Sequence, residues 1–230
     1  MIIAGLLAGR GVYKMAETVI QRCVDDPLVQ AVWVLTAKDR VGNPKFMMRD
    51  KIWHINSWVG EDSHNKTGLN RERMRAEIYG RLSEECFAQV RYIWLGDDDA
   101  LPAPDYFEKL MQIEYDYPVL VTGKTFNLDG DRWFDICSFQ TDRGPFCVPY
   151  DDWENPRWAK DLYCSGNQHI FNRTGFDLNV QYPDIQGEDP HFSWAFRKAG
   201  GKLRFRPELS MTLQKMHGGA NMGYAPYLPK

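Results

Sequence analysis

The 230-residue chain lacks a long apolar run, closely paired cysteines and any marked excess of charge. It contains no stretch of about 18 uninterrupted apolar residues, so no segment is a candidate for a helix that spans a bilayer. Residues 1–9 are apolar, but they are too few for a signal peptide and lack its basic start. From these absences we expect a soluble, unexported, cytoplasmic protein.

The five cysteines are odd in number, widely spaced and contain no Cys-x-x-Cys pair. This pattern argues against a disulfide framework and against a zinc site, and it favours reduced thiols. The formal net charge of −3 neither recruits nor repels a polyanion strongly, so a nucleic-acid partner would need a local basic patch. No internal repeat or low-complexity tract occurs. At this length, one α/β domain is expected.

The first forty residues alternate between apolar runs and a helical pattern. Strands are predicted at residues 2–7 and 31–36, with a turn at Gly9-Arg10-Gly11 and a helix at 13–23 between them. Strand, helix, strand is the start of a parallel sheet, whose ligands bind beyond the carboxyl ends of the strands. The order of elements therefore predicts a ligand crevice at this edge.

The rest of the chain continues the alternation. Helices are predicted at residues 70–88 and from Pro104, and strands at 51–59, 92–96, 119–122 and 202–205. Residues 127–161 are rich in Gly, Pro and Asp and contain several aromatic side chains, including Trp133 and Trp153. Such aromatics suit either a sugar face or packing between loops, and the sequence leaves both interpretations open.

Three consecutive carboxylates, Asp97, Asp98 and Asp99, directly follow the apolar run at residues 92–96. Their mutual repulsion would raise the pKa of at least one of them unless a cation neutralised the group, and hard oxygen ligands suit Mg²⁺ or Mn²⁺. The alternative is an acidic turn before the next helix, because Asp favours turns. These residues alone leave both interpretations open.

A second acidic pair, Glu188 and Asp189, precedes another helical pattern. Asp189 is the predicted N-cap and Pro190 the first helical residue, and Gly200-Gly201 ends the helix. A carboxylate at a helix N-terminus stays ionised near neutral pH, so capping is compatible with accepting a proton. His217 follows in a small-residue loop.

Together these features resemble the GT-A-type glycosyltransferases, especially the inverting enzymes of family 2. The resemblance spans most of the chain and holds in order and spacing. It rests on Gly96-Asp97-Asp98-Asp99, Pro104-Asp105-Tyr106, Cys164-Ser165-Gly166-Asn167, Gly187-Glu188-Asp189 and Gly200-Gly201. It implies a single α/β domain with a Rossmann-like, mostly parallel central sheet flanked by helices. Residues 1–126 would bind a nucleotide sugar, and residues 127–230 would bind the acceptor and carry the catalytic base.

The resemblance also implies roles for single residues. Asp97 and Asp99 would be the carboxylates of the Asp-x-Asp motif, with Asp99 the direct ligand of Mn²⁺ or Mg²⁺ and Asp97 near the ribose or the metal waters. His217 would be a further metal ligand, and Asp189, with Glu188 as its neighbour, would be the catalytic base. The nucleotide would contact Gly9, Arg10, Asp39, Arg71, Arg75, Asp97 and Asp98. For Arg75 a solvated helix face is the alternative.

The function implied is metal-dependent hexosyl transfer, with inversion, from a nucleotide-diphosphate sugar to an acceptor hydroxyl. A UDP-sugar is the expected donor, and the acceptor is open between a glycan, a protein, a lipid carrier and a modified base. The alternatives are a retaining transferase on the same fold, a Ca²⁺-dependent carbohydrate-binding module, and a sugar nucleotidyltransferase. The glycine-bearing turn at residues 7–11 suggests the last of these, but it is shorter than the loop such enzymes use.

Overall fold

The computed structural model describes residues 1–8, 14–36, 49–55, 67–126, 168–184 and 188–213. Within them the strands are β1 Ile2–Ala8, β2 Val29–Thr36, β3 Ile52–Ile55, β4 Tyr92–Asp97, β5 Ala100–Pro102, β6 Val119–Phe126, β7 Gln168–Asn172 and β8 Lys202–Leu213. The helices are α1 Lys14–Asp25, α2 Thr67–Arg81, α3 Tyr106–Gln112, α4 Arg173–Phe176 and α5 Glu188–Lys198, with a 3₁₀ turn at Glu85–Phe87.

All eight described strands belong to one sheet, in the order β3-β2-β1-β4-β7-β6-β8-β5. The strands β3, β2, β1 and β4 are parallel to one another, and β6 is parallel to β8. Strand β7 runs antiparallel between β4 and β6, and β5 runs antiparallel to β8. The predicted single α/β domain with a Rossmann-like sheet flanked by helices is therefore confirmed.

Helices cover both faces of the sheet, which explains why β1 reads as a continuous apolar run. All seven residues of β1 are buried. One face packs against α1 through residues such as Val19 and Cys23, and the other face packs against α2 and α5 through residues such as Met74 and Phe196. Because strand side chains alternate, Ile93 and Leu95 of β4 face α2 and α5. The next residue in this series, Asp97, therefore emerges on the same face.

Two predicted helix boundaries are wrong. Helix α2 ends at Arg81 rather than at residue 88, and Cys86 lies exposed in the following 3₁₀ turn while Phe87 takes the buried position. Helix α5 begins at Glu188, so Asp189 lies in the first helical turn and is not the N-cap. Pro190 is tolerated there because the first N–H groups of a helix have no partner within the helix.

The remaining differences concern strands and the start of α3. Strand β8 continues to Leu213 instead of ending at residue 205, and β6 continues to Phe126. Helix α3 begins at Tyr106, two residues after Pro104. The sequence patterns did not predict β5, β7 or α4: β5 and α4 are too short for a period to be recognised, and β7 begins with the polar residues Gln168 and His169. Residues 56–59 of the predicted third strand lie outside the described residues.

Candidate active site

The end of β4 places the first of the three aspartates at the carboxyl edge of the sheet. Gly96 precedes it, and a Cβ at this position would collide with the indole ring of Trp94. Trp94 is fully buried against Tyr106 and Phe107 of α3. Glycine is therefore required where the strand passes this ring. Asp97 then follows with 29% of its side chain exposed.

Asp98 and Asp99 form the turn that connects β4 to β5, and Asp99 is only 7% exposed. Strand β5 pairs at once with the end of β8, with Ala100 opposite Leu213. The last strand of the described chain therefore ends beside the aspartate turn. The acidic-turn interpretation is therefore correct in part: Asp98 and Asp99 form a turn, but it leads into strand β5, and the next helix begins only at Tyr106.

Arg71 of α2 joins the two acidic groups that the sequence separates. Its Nη2 donates to both oxygens of Asp97, at 3.3 and 3.5 Å, and its Nη1 donates to Asp189 Oδ1 at 3.2 Å. Its Nε lies 3.2 Å from Glu188 Oε1 without hydrogen-bonding geometry. The Arg71 side chain is only 5% exposed. One buried guanidinium thus contacts carboxylates from β4 and from the first turn of α5.

Among the described side chains of this site, negative charge exceeds positive charge. Burial raises the pKa of Asp97 to about 6; Asp99, Asp189 and Glu188 act in the same direction, and Arg71 opposes them. Burial also raises the pKa of Glu188 and of Asp189, again against the effect of Arg71. Burial alone would lower the pKa of Arg71, but Asp189, Asp97 and Glu188 outweigh it and keep the guanidinium charged. The sequence-based expectation that helix capping keeps Asp189 readily ionised omitted this burial.

The two carboxylates of α5 differ in access to solvent. The Asp189 side chain is 26% exposed, whereas that of Glu188 is 5% exposed. Asp189 can therefore be reached by a molecule that enters the site. Glu188 is enclosed against Arg71.

His169 of β7 is a member of this site that the sequence patterns did not indicate. Its ring is fully buried, its Nε2 lies 3.4 Å from Asp189 Oδ1, and its Nδ1 is hydrogen-bonded to Tyr182 Oη. The only sequence signal was a histidine in a short apolar run directly after residues 164–167. A lone histidine in such a run is more commonly part of the core than of a site, so the sequence alone does not indicate a functional role for His169.

Arg75 lies one turn after Arg71 on α2, but its surroundings are different. It is 4% exposed, and its Nε donates to Glu72 Oε2 at 2.8 Å while its Nη1 donates to Asn179 Oδ1 at 2.6 Å. Glu72 Oε2 also accepts from the backbone N–H of Tyr182 at 2.9 Å. The solvated helix face considered for Arg75 is therefore wrong. Its guanidinium is committed to a buried contact between α2 and residues 179–182.

Several predicted site residues lie outside the described residues: Gly9, Arg10, Asp39 and His217. So do residues 164–167 and the aromatic segment at residues 127–161. The assignment of nucleotide binding to residues 1–126 and of acceptor binding to residues 127–230 stays a prediction.

In the part of the chain that the structure describes, no three His, Cys, Asp or Glu side chains form a group that could hold a metal ion. None of the described helices is long and apolar enough to cross a membrane.

No protein-family model and no curated protein sequence matches this chain. Solved structures do match its fold. Residues 1–349 of TarS from S. aureus superpose with a TM-score of 0.60 at 11% identity, over 92% of this chain and 60% of that one. The mannosyltransferase PcManGT from Pyrobaculum calidifontis, solved in complex with GDP-Man and Mn²⁺, superposes with a TM-score of 0.57 at 11% identity, over 96% and 59%.

A putative glucose-1-phosphate thymidylyltransferase from Bacillus anthracis, solved with a sucrose, superposes with a TM-score of 0.50 at 10% identity, over 100% of this chain and 96% of that one. The present chain thus spans about three fifths of TarS and of the mannosyltransferase, and nearly all of the thymidylyltransferase. At these identities the likeness shows the fold alone. The GT-A-like fold occurs both in a mannosyltransferase and in a thymidylyltransferase, so the function has to be argued from the site.

Proposed function

We propose that the chain is a metal-dependent, inverting glycosyltransferase that uses a nucleotide-diphosphate sugar, with a UDP-sugar as the expected donor. The observation that carries this proposal is that Arg71 donates hydrogen bonds to both Asp97 and Asp189. Sugar transfer from such a donor needs one acidic group on the side of the leaving diphosphate and another beside the attacking hydroxyl. Two separate carboxylate groups at the carboxyl edge of the sheet meet that requirement.

The leaving-group side is assigned to the aspartate turn. Asp99 is the proposed direct ligand of Mn²⁺ or Mg²⁺, Asp97 contacts the ribose or the metal waters, and Asp98 contacts the nucleotide. No three described side chains are grouped as metal ligands, so this assignment is supported by chemistry: carboxylates are hard oxygen ligands, and the neighbouring acids that raise the pKa of Asp97 would be neutralised by a cation. When bound, a divalent cation offsets the charge that develops on the leaving diphosphate.

His217 is proposed as a further metal ligand. Leu213 pairs with Ala100, which directly follows Asp99, and His217 comes four residues after Leu213 in the sequence. Four residues span at most about 14 Å, which supports a contact between this histidine and an ion at the aspartate turn. The mannosyltransferase of similar fold was solved with Mn²⁺ and GDP-Man, which supports a metal and a nucleotide sugar in this type of crevice.

The base is assigned to Asp189. It is the more exposed carboxylate of α5, and burial raises its pKa towards neutrality, which favours a group that must first accept and later release a proton. Asp189 takes the proton of the acceptor hydroxyl as that oxygen attacks the anomeric carbon from the face opposite the diphosphate. Glu188 is assigned to holding Arg71, because it is enclosed and lies against the guanidinium.

The nucleotide itself is assigned to Gly9, Arg10, Asp39 and Arg71. Arg75 is assigned to a structural role, since its guanidinium is already bound to Glu72 and Asn179.

A sugar nucleotidyltransferase is the second candidate, because the thymidylyltransferase of similar fold matches this chain over almost its whole length. A carboxylate reserved as a proton acceptor is not needed for that reaction.

The test combines binding and turnover. Thermal unfolding is measured with nucleoside diphosphates and nucleotide sugars, each with and without Mn²⁺, since a ligand that binds the folded state raises its stability. Asp99→Ala is expected to abolish Mn²⁺-dependent nucleotide binding. Asp189→Asn is expected to leave binding intact and to lower turnover by about 10²- to 10⁴-fold.

Asp177→Asn is the matched control, because Asp177 forms an exposed pair with Arg173 at 3.2 Å. This pair lies at the α4 side of the domain, away from the acidic turn. This variant should change neither nucleotide binding nor turnover. Unimpaired turnover in Asp189→Asn would refute the base assignment. Proton NMR of the product separates inversion from retention, and release of pyrophosphate from a nucleoside triphosphate and a sugar phosphate would establish the second candidate instead.

A further inference from the structure

His169 has an environment that fixes both the position and the protonation of its ring. The imidazole is fully buried and packs beside both Tyr182 and Phe192, with its ring centroid 5.5 Å from that of each. Tyr182 and Phe192 in turn stack on each other at 3.9 Å. A buried polar ring needs hydrogen-bonding partners for its nitrogens, and here the partners of the two nitrogens lie on different elements.

The two nitrogens of His169 are compatible with one tautomer. Nε2 faces the Asp189 carboxylate at 3.4 Å, and an ionised carboxylate only accepts, so Nε2 carries the proton. Nδ1 is then an acceptor, and Tyr182 Oη must donate to it. Burial raises the pKa of Tyr182 well above its usual value, so the phenol keeps the proton that it donates. Tyr182 therefore donates to His169, and the N–H of His169 faces the Asp189 carboxylate, which is the acceptor.

Asp189 Oδ1 accepts a hydrogen bond from Arg71 Nη1 and lies in electrostatic contact with His169 Nε2, which does not reach hydrogen-bonding geometry. Arg71 Nη1 lies 3.2 Å and His169 Nε2 lies 3.4 Å from the same atom, Oδ1. Within the described part of the chain, no donor is found on Oδ2. One hydrogen bond and one electrostatic contact from different elements thus act on the same oxygen and oppose rotation of the carboxylate, which leaves Oδ2 for an incoming hydroxyl.

We propose that His169 is a positioning residue for Asp189, held as the neutral Nε2–H tautomer by Tyr182. This inference rests on the proposed role of Asp189 as the base. Arg71 neutralises charge in the site, whereas His169 contributes a neutral donor that fixes the carboxylate without adding a second positive charge. Tyr182 is itself held in place, because its backbone N–H donates to Glu72 Oε2 at 2.9 Å.

The first test is independent of the reaction. Long-range ¹H–¹⁵N NMR of the imidazole rings is expected to show one histidine as neutral and protonated on Nε2, and this signal should disappear in His169→Gln. Tyr182→Phe keeps the stacked ring but removes the donor, so His169 should then populate both tautomers. Finding His169 protonated on Nδ1 in the unmodified protein would overturn the proposal, whatever the enzyme does.

The second test separates positioning from packing by measuring release of UDP from UDP-glucose. His169→Leu removes the donor and should lower kcat by about 10- to 100-fold with KM for UDP-glucose unchanged, the range expected for losing a polar contact with a charged group. His169→Gln places an amide N–H at a similar reach and should restore most of this loss. Tyr182→Phe should give an intermediate kcat.

Phe171→Leu is the matched control for packing. Phe171 lies two residues further on β7, faces the same side of the sheet and contacts the same Phe192 ring at 5.8 Å. It should keep kcat within about 2-fold of the unmodified protein. Equal losses in His169→Leu and His169→Gln, or an equal loss in Phe171→Leu, would show that His169 acts through packing alone. If the unmodified protein releases no UDP from UDP-glucose, glucose is not the donor sugar in this assay, and the tautomer measurement decides on His169.

Discussion

At the scale of single residues, Arg71 is the one described cation in contact with both acidic groups of the candidate site. Asp97, Glu188 and Asp189 each lie within 3.5 Å of its guanidinium. Such a residue contributes little net stability while it is paired, because desolvation offsets the attraction. Removing it is costly, since the carboxylates then remain buried without a partner.

We therefore expect Arg71→Met to lower the free energy of unfolding by about 3–5 kcal/mol, measured by urea denaturation. Lys109→Met is the control, because Lys109 forms a surface pair with Asp105 at 2.7 Å in which both side chains are well exposed. That change should cost no more than about 1 kcal/mol. Similar losses in the two variants would mean that Arg71 is not an essential partner of the buried acids.

Arg75 provides a contrast to Arg71 on the same helix. It binds Glu72 and Asn179, and Glu72 also accepts from the backbone of Tyr182, so its loss should destabilise residues 179–182. Asn179 has φ of 54°, a left-handed conformation that needs such support. We expect Arg75→Met to lower stability by about 3 kcal/mol. Mn²⁺-dependent nucleotide binding should persist below its melting temperature, as measured by calorimetry, and a loss of binding in the folded variant would contradict the structural role.

At the scale of elements, two exposed glycines at helix ends lead to opposite predictions. A Cβ would meet nothing within 4 Å at Gly80, near the end of α2, or at Gly200, just after α5. Gly200 has φ of +94°, and its N–H and that of Gly201 donate to Arg197 and Phe196. This is a left-handed helix C-terminus that a side chain strains.

Gly80→Ala is therefore expected to raise the free energy of unfolding by about 0.5–1 kcal/mol, because alanine favours the helix. Gly200→Ala is expected to lower it by about 1–2 kcal/mol, because its backbone conformation disfavours any Cβ. Chemical denaturation of both variants measures the difference. A shift of the same sign in both would show that backbone conformation at position 200 is not the deciding factor.

The strands and helices that the sequence predicts are those whose pattern of apolar residues lies within the element itself. The strands β1, β2 and β4 and the helices α1 and α2 have enough apolar positions to define a period, and the acidic residues at both ends of the site were found from their positions after such elements. Strand β5, by contrast, is three residues long and is stabilised by pairing with the distant β8. No local pattern can reveal a strand whose hydrogen bonds come from residues about a hundred positions away.

The candidate site follows the same rule. Asp97, Asp189 and Arg71 were predicted singly, but their meeting depends on α2 and α5 packing on one face of the sheet. His169 and Tyr182 were missed because neither carries a motif. Each depends on tertiary contacts, and so does Arg75, whose buried contact with Asn179 no local pattern indicates.

At the scale of the whole molecule, the sheet binds the two halves of the chain together. Strand β7 lies between β4 and β6, and β8 pairs with both β6 and β5. Residues from the second half thus occupy the middle of a sheet begun by the first half. Such interleaving makes independent unfolding of either half unfavourable, since each would leave unpaired strands in the other. We therefore expect one cooperative unfolding transition.

Cys23 can report on that cooperativity from a place remote from the acidic groups. It is fully buried between α1 and the sheet, and burial raises the pKa of its thiol, so it reacts with thiol reagents only when the protein opens. In a variant in which Cys86, Cys137, Cys147 and Cys164 are replaced by Ser, labelling of Cys23 should follow the unfolding equilibrium. UDP with Mn²⁺ at a hundred times its Kd should then slow labelling about 100-fold, because ligand binding stabilises the folded state by about 2.7 kcal/mol. The same ligands should leave labelling unchanged once Asp99→Ala is added. If ligand raises the melting temperature but does not slow the labelling of Cys23, then α1 opens separately from the site, and the domain is not one cooperative unit.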